Sequence, residues 1–180
     1  PESNALFLGN SLPVREVDFY ASGYGSEVKV GLNRGASGID GLVASSAGYS
    51  KGLNQPLTLL LGDLSLLHDL NSLKLISESP KPIVLIVLNN HGGGIFSFLP
   101  ISEHKDIFET YFSTPHSLEF KDAAKMFKLP YFHPESPEEF ESIYLKQTSA
   151  DKSCIIEVNT LKEDNIRVQK EWTEFLHQNR

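Results

Sequence analysis

Short runs dense in valine, isoleucine and leucine recur along the chain, over residues 5–8, 28–32, 57–61, 83–88 and 154–158. Their apolarity is nearly continuous, which predicts strands covered on both faces; a strand at a sheet edge would alternate more. Between them, apolar residues return with helical spacing over 14–21, 39–53, 66–77, 120–127, 137–147 and 165–177, several of these stretches having Ser, Asp or Asn near the start. Strand and helix thus alternate through the chain. That order predicts an α/β fold with a doubly wound, mainly parallel sheet and helices on both faces.

Residues 89–115 fit neither period. Gly92, Gly93 and Gly94 stand in a row there and are followed by Ile95, Phe96, Phe98 and Leu99, which a solvated loop would not carry. A long irregular segment inside a compact domain is usually functional. No internal repeat or low-complexity tract interrupts the rest, and 180 residues suit a single domain with a substantial core.

Composition then narrows the function. Sixteen Lys and Arg against 23 Asp and Glu give a net charge of −7, so no basic field is present for a phosphate backbone and nucleic-acid binding is not expected. Cys154 is the one cysteine. It can form neither an internal disulfide nor a thiolate cage, and its apolar neighbours Ile155 and Ile156 mark it as a buried core thiol. The longest apolar stretch, 83–88, is far short of the roughly 20 residues a membrane span needs. The start, Pro1-Glu2-Ser3-Asn4, has no part of a signal peptide and no initiator Met, so a piece of a longer chain is expected.

Ligands of open parallel sheets bind beyond the carboxyl ends of the strands. The segments following the first four predicted strands are polar and rich in glycine: Gly9-Asn10-Ser11, the stretch from Asn33 to Gly41, Gly62-Asp63-Leu64-Ser65, and Asn89-Asn90-His91-Gly92-Gly93-Gly94. They are expected to converge on one edge. Gly62 to Ser65 suits a phosphate seated at a helix start, although Gly-Asp taken alone is better explained as an ordinary strand-to-helix turn with an acidic cap. Asn89-Asn90 tips the balance, because a hard divalent cation takes oxygen ligands while keeping substrate phosphates in its shell. Asp63, Asn90 and the Gly92 carbonyl can supply one carboxylate, one amide oxygen and one main-chain oxygen.

Other chemistries fit less well. Gly35, Gly38 and Gly41 are spaced too widely for a dinucleotide fingerprint. His68, His91, His104, His116, His133 and His177 include no pair four residues apart, so zinc is not expected. Glu138, Glu139 and Glu141 read as a solvated helix face. No Gly-x-Ser-x-Gly elbow occurs.

Gly62-Asp63 followed by Asn89-Asn90 resembles the diphosphate and magnesium motif of thiamine-diphosphate enzymes. The words around it are more specific: Gly9-Asn10-Ser11 with Arg15, Asn33 through Gly41, Gly62 through Ser65 with His68-Asp69-Leu70-Asn71, and Asn90 through Phe96. Together they resemble the 2-succinyl-5-enolpyruvyl-6-hydroxy-3-cyclohexene-1-carboxylate (SEPHCHC) synthases of menaquinone and phylloquinone biosynthesis, over residues 5–160.

The resemblance implies a thiamine-diphosphate-binding fold, with residues 1–180 forming the carboxyl-terminal diphosphate domain of such a transferase. It implies thiamine diphosphate with Mg²⁺, or Mn²⁺ in its place, held by Asp63, Asn90 and the Gly92 carbonyl, and a diphosphate seat at Gly62, Leu64 and Ser65. Ile39 is implied as the apolar wedge that bends the cofactor. Ser11, Arg15 and Arg34 are implied to meet substrate carboxylates, and Ile95 and Phe96 to wall the pocket. The implied substrates are 2-oxoglutarate and isochorismate, joined with loss of CO₂. The activating glutamate of the family sits on a separate pyrimidine-binding domain of the same or the partner subunit, so no catalytic residue of that kind is expected in this chain, which alone should be inactive. A homodimer or homotetramer in the bacterial cytoplasm, or in a plastid, is implied. His91 departs from the family pattern, which commonly has a third Asn there. Two alternatives are another thiamine-diphosphate carboligase or decarboxylase, and a noncatalytic domain of the same fold.

Overall fold

A computed structural model of the chain describes residues 4–21 and 27–178; Pro1, Glu2 and Ser3, on which the reading of the chain's start rests, lie outside them. The elements in order are β1 (Ala5–Leu8), α1 (Leu12–Tyr20), β2 (Val30–Leu32), α2 (Leu42–Leu53), β3 (Leu57–Gly62), α3 (Asp63–His68), α4 (Leu73–Ser77), β4 (Ile83–Asn89), α5 (Lys105–Phe108), α6 (Lys121–Met126), β5 (Tyr131–Phe132), α7 (Pro137–Thr148), β6 (Cys154–Asn159) and α8 (Lys162–Gln178). Single helical turns add Leu70–Ser72, Gly94–Phe98, Pro100–Glu103 and Glu109–Ser113. The described residues form two compact units, one drawn from 1–88 and 119–158, the other from 89–118 and 159–180.

The first unit is a parallel sheet in the order β2-β1-β3-β4-β6-β5. Leu59 pairs with Leu85 and Leu61 with Val87, and because successive side chains point to opposite faces, this register builds two cores. One gathers Leu57, Leu59, Leu61, Leu85 and Val87 under Leu42 and Val43 of α2, Leu73 and Ile76 of α4, and Ala124 of α6. The other gathers Val84, Ile86, Cys154 and Ile156 with Phe140, Ile143 and Tyr144 of α7. The sheet is therefore doubly wound, as the continuous apolar runs predict, and β2 at the edge shows the expected alternation, with only Gly31 buried.

Cys154 lies fully buried in the second core, and burial pushes its thiol up to about 12. The neutral thiol is thus the folded form, and the thiolate is what reagents attack. Native protein at pH 8 is expected to leave Cys154 unmodified by a disulfide reagent over hours, and denatured protein to react within minutes. Prompt reaction of the native protein would show that this core opens readily.

Three elements differ from the sequence expectation, each for a local reason. The helix expected over 66–77 starts at Asp63 and breaks after His68, because the Asp69 carboxylate turns elsewhere: Oδ2 accepts the Ala44 N–H at 3.0 Å and Oδ1 the Ser72 hydroxyl at 2.5 Å. The helix expected from 39 begins at Leu42, after Gly41 turns left-handed at φ 67°. Its start has no cap from its own sequence, and Asp69 supplies one from outside. Strand β5 was too short to show a pattern. It exists by pairing Tyr131 and Phe132 with Ile155 and Ile156.

Candidate functional site

Strand order reverses beside β1, with β2 on one side and β3 on the other. Such a reversal sends the two following helices apart and opens a crevice at the carboxyl ends of β1 and β3. Gly9 keeps the two strand ends close. Its N–H donates to the Leu60 carbonyl at 2.7 Å, and a Cβ there would stand 2.8 Å from Leu61 Cβ, so any side chain would force the ends apart.

Asn10, 1% exposed, joins this crevice to the segment after β2. Its Nδ2 donates to the Gly38 carbonyl at 2.6 Å, and its Oδ1 accepts Arg34 Nη1 at 3.1 Å. Ser11 has φ 73° and ψ −130°, a conformation that costs a residue with a Cβ energy and that is often retained for function. One turn into α1, the exposed Arg15 donates to the Ser11 carbonyl at 2.5 Å. Both guanidinium groups are thus aimed by uncharged oxygens. Leu32, Asn33, Arg34, Gly35, Ala36, Gly38 and Asp40 line an open pocket of about 390 Å³. Ile39 is half-buried within this segment.

Gly62 delivers the chain from β3 into α3 with extended backbone. The space its missing side chain leaves is open, since a Cβ would have Leu88 O at 4.0 Å as its nearest neighbour. Asp63 is 2% exposed, and its Oδ1 accepts the Leu64 N–H at 2.7 Å, which fixes the carboxylate at the positive end of the helix. Ser65 is buried beside it and Leu64 half-buried.

The second unit carries the fourth segment. Asn90 is half-buried, and His91 and Gly92 follow it at φ 59° and 150°. A Cβ on Gly92 would lie 2.4 Å from the Ser113 carbonyl oxygen, and one on Gly93 2.4 Å from that of Phe112. The glycine run therefore permits two backbone stretches to touch, and Gly93 N–H donates to Ser113 O at 2.6 Å. Phe96 packs edge-on to Phe112, with ring centroids 5.7 Å apart, and Phe112 stacks on Phe108. Ile95 beside it is half-buried. Of the apolar residues that look out of place in a loop, Phe96 thus packs on the loop's own Phe112, while Leu99 is exposed.

No protein-family model matches the chain. Curated relatives do: SEPHCHC synthase of Chlorobium phaeobacteroides is 49% identical over 168 residues, 92% of this chain, and that of Rubrobacter xylanophilus 48% identical over 171 residues, 95% of this chain. The chain is homologous to one segment of the SEPHCHC synthases. It spans 29% of the length of each of these two synthases. Among solved structures, benzoylformate decarboxylase from Polynucleobacter necessarius matches 90% of this chain and 31% of its own with a TM-score of 0.75 at 16% identity. An enzyme from Mycobacterium smegmatis described as thiamin diphosphate-dependent matches 89% of this chain and 29% of its own at 0.70 and 18%. The fold is that of the thiamine-diphosphate-dependent enzymes.

The donors present can be weighed against the thiamin diphosphate named for the Mycobacterium smegmatis enzyme. Among the described residues no three His, Cys, Asp or Glu side chains stand together for a metal, so the donors to weigh are mixed oxygens. Asp63, Asn90 and the Gly92 carbonyl are all hard donors of the kind magnesium prefers, and the open space at Gly62 leaves the helix start accessible to an anion. Hydrogen bonds join the segments after β1 and β2 in the first unit, and β3, which ends at Gly62, lies beside β1. Asn90, Gly92, Ile95 and Phe96 are placed in the second.

Sequence reasoning passed over several polar residues that hold these segments. Asn10 and Asn89 were read as parts of motifs without tasks of their own. Glu157, fully buried in β6, was not singled out at all. Its Oε2 accepts the Phe120 N–H at 2.9 Å and the Tyr131 hydroxyl at 2.8 Å, and burial together with that carboxylate raises the Tyr131 hydroxyl's pKa. The one available signal was a lone acid inside an apolar strand.

Proposed function

We propose that the chain is the diphosphate- and magnesium-binding domain of a SEPHCHC synthase that joins 2-oxoglutarate to isochorismate with loss of CO₂. The observation that carries this reading is the strand reversal beside β1, with Asn10, bonded to Arg34, following β1 and Gly62-Asp63 at the end of the neighbouring β3, in a chain homologous to those synthases along nearly its whole length. Asp63, Asn90 and the Gly92 carbonyl hold Mg²⁺, and Gly62, Leu64 and Ser65 receive the diphosphate. Ile39 would be the apolar wedge against the cofactor. Thiamine diphosphate supplies the electron sink for decarboxylation of a 2-oxo acid.

This chain's own contribution is binding, orientation and charge. Arg15 and Arg34 neutralise substrate carboxylates, Ser11 orients them, and Ile95 and Phe96 exclude water. The activating glutamate belongs to a pyrimidine-binding domain of the same or the partner subunit, within a homodimer or homotetramer. A cytoplasmic setting goes with this reading, the relatives being bacterial; no helix among the described residues is long and apolar enough to cross a membrane.

Supplied with thiamine diphosphate, Mg²⁺, 2-oxoglutarate and isochorismate, residues 1–180 alone are expected to release no CO₂ above background. The full-length protein should turn over, and adding the separately expressed remainder should restore activity to the isolated chain. Decarboxylation by the isolated chain would contradict the division of labour, and a full-length protein inactive on this substrate pair would contradict the assignment.

A further inference from the structure

We infer that Asn89 is the positioning residue of the magnesium loop, setting the backbone of Asn90 and Gly92 by closing the segment 89–118 at its base. The inference rests on the proposed role of Asn90 and Gly92. Asn89 is fully buried, and three of its atoms work in different directions. Its Nδ2 donates to the Leu118 carbonyl at 3.0 Å, where the loop ends. Its Oδ1 accepts the His91 N–H at 3.1 Å, two residues on. Its own carbonyl accepts the Thr160 N–H at 2.9 Å, just after β6.

The middle bond sets the local geometry. An Asn side chain bonded to the amide two residues ahead mimics a turn, and it holds His91 in the left-handed conformation, φ 59°. The direction in which Asn90 and the Gly92 carbonyl are presented follows from that turn. The bond to Leu118 then fixes the far end. His116 N–H to His91 O at 3.2 Å and Gly93 N–H to Ser113 O at 2.6 Å continue the seam upward. Neither outgoing nor returning strand has a ladder of its own, so Asn89 is where the loop is fastened to its stem. A buried amide that merely satisfied its neighbours would give a different experimental result.

The test uses the full-length protein as Asn89→Ala, which loses both side-chain bonds, and Asn89→Asp, which keeps the acceptor and loses the donor. Asp63→Ala serves as the reference. Calorimetry would measure affinity for Mg²⁺-thiamine diphosphate, and thermal unfolding would be followed with and without it. Asn89→Ala is expected to weaken cofactor binding roughly tenfold and Asn89→Asp by less. The unfolding midpoint without cofactor should move by under about 3 °C, while the rise that cofactor gives shrinks. Trypsin should cut within 90–118 faster in both variants.

Cofactor affinity within twofold of the parent in both variants would overturn the inference. So would a cofactor-free midpoint that falls as far as the cofactor-bound one, since a purely structural residue behaves that way. Should Asn89→Ala fail to fold, Asn89→Asp decides by the same criteria. Loss of binding in Asp63→Ala but not in the Asn89 variants would refute this inference alone; a parent protein that binds no thiamine diphosphate would refute the functional reading as well.

Discussion

Arg15→Ala and Arg34→Ala in the full-length protein are each expected to weaken apparent affinity for 2-oxoglutarate or isochorismate by about 2–3 kcal/mol, with little change in cofactor binding. On the proposed function, two substrates bearing carboxylates would enter a site that already holds a diphosphate, and such a site would need added positive charge. Arg34 lines the pocket of about 390 Å³, and its Nη1 is held on Asn10 Oδ1. The rest of its fork remains for a carboxylate. Arg15 is aimed by the Ser11 carbonyl, which joins a strained serine to the same strand end.

Because a planar fork binds a carboxylate through two parallel bonds that an ammonium group cannot reproduce, Arg34→Lys should recover little of the loss. Steady-state kinetics on the three variants checks this. Michaelis constants within twofold of the parent would make the arginines structural and remove the main physical support for a pair of acidic substrates. Asn10→Ala should resemble a weaker Arg34→Ala, since it releases the guanidinium while leaving its charge.

The fold was largely legible because its core is built of continuous apolar runs. Runs such as Ile83 to Leu88 have no polar face, and an element without one must be covered twice. What the sequence hid was held by single side chains acting at a distance. Asp69 ends α3 early by reaching Ala44 at the start of α2, a contact between residues 25 apart that no local period encodes. Strand β5 depends on pairing with β6 and on Tyr131 finding Glu157.

The candidate site divides in the same way. Gly62-Asp63 and Asn89-Asn90 were visible as words only in combination, since glycine and acid alone suit any strand-to-helix turn. The reason for Gly92 and Gly93 was not visible. In sequence the Gly92 carbonyl offers a cation ligand, and the structure adds that the main chain of 112–113 is pressed against Gly92 and Gly93. Phe96 similarly reads as a pocket wall and is found packed on Phe112. It supports the loop whatever else it meets.

Asp63→Ala carries the largest consequence for the cofactor. The side chain is buried, sits at the start of α3, and is the one negative charge in the proposed ligand set. Without it, Mg²⁺ loses the anionic oxygen that competes best with water, and the diphosphate faces the protein without its bridge. A loss of at least roughly tenfold in affinity is expected, with Asp63→Asn intermediate because an amide oxygen remains. The test is a calorimetric titration of the full-length parent and Asp63→Ala with thiamine diphosphate, in Mg²⁺ and again in excess chelator. The parent is expected to bind only with Mg²⁺ present, and Asp63→Ala to bind weakly in either condition. Equal binding by parent and variant, or binding by the parent that ignores the chelator, would contradict the assignment of this chain as the metal and diphosphate half of the site.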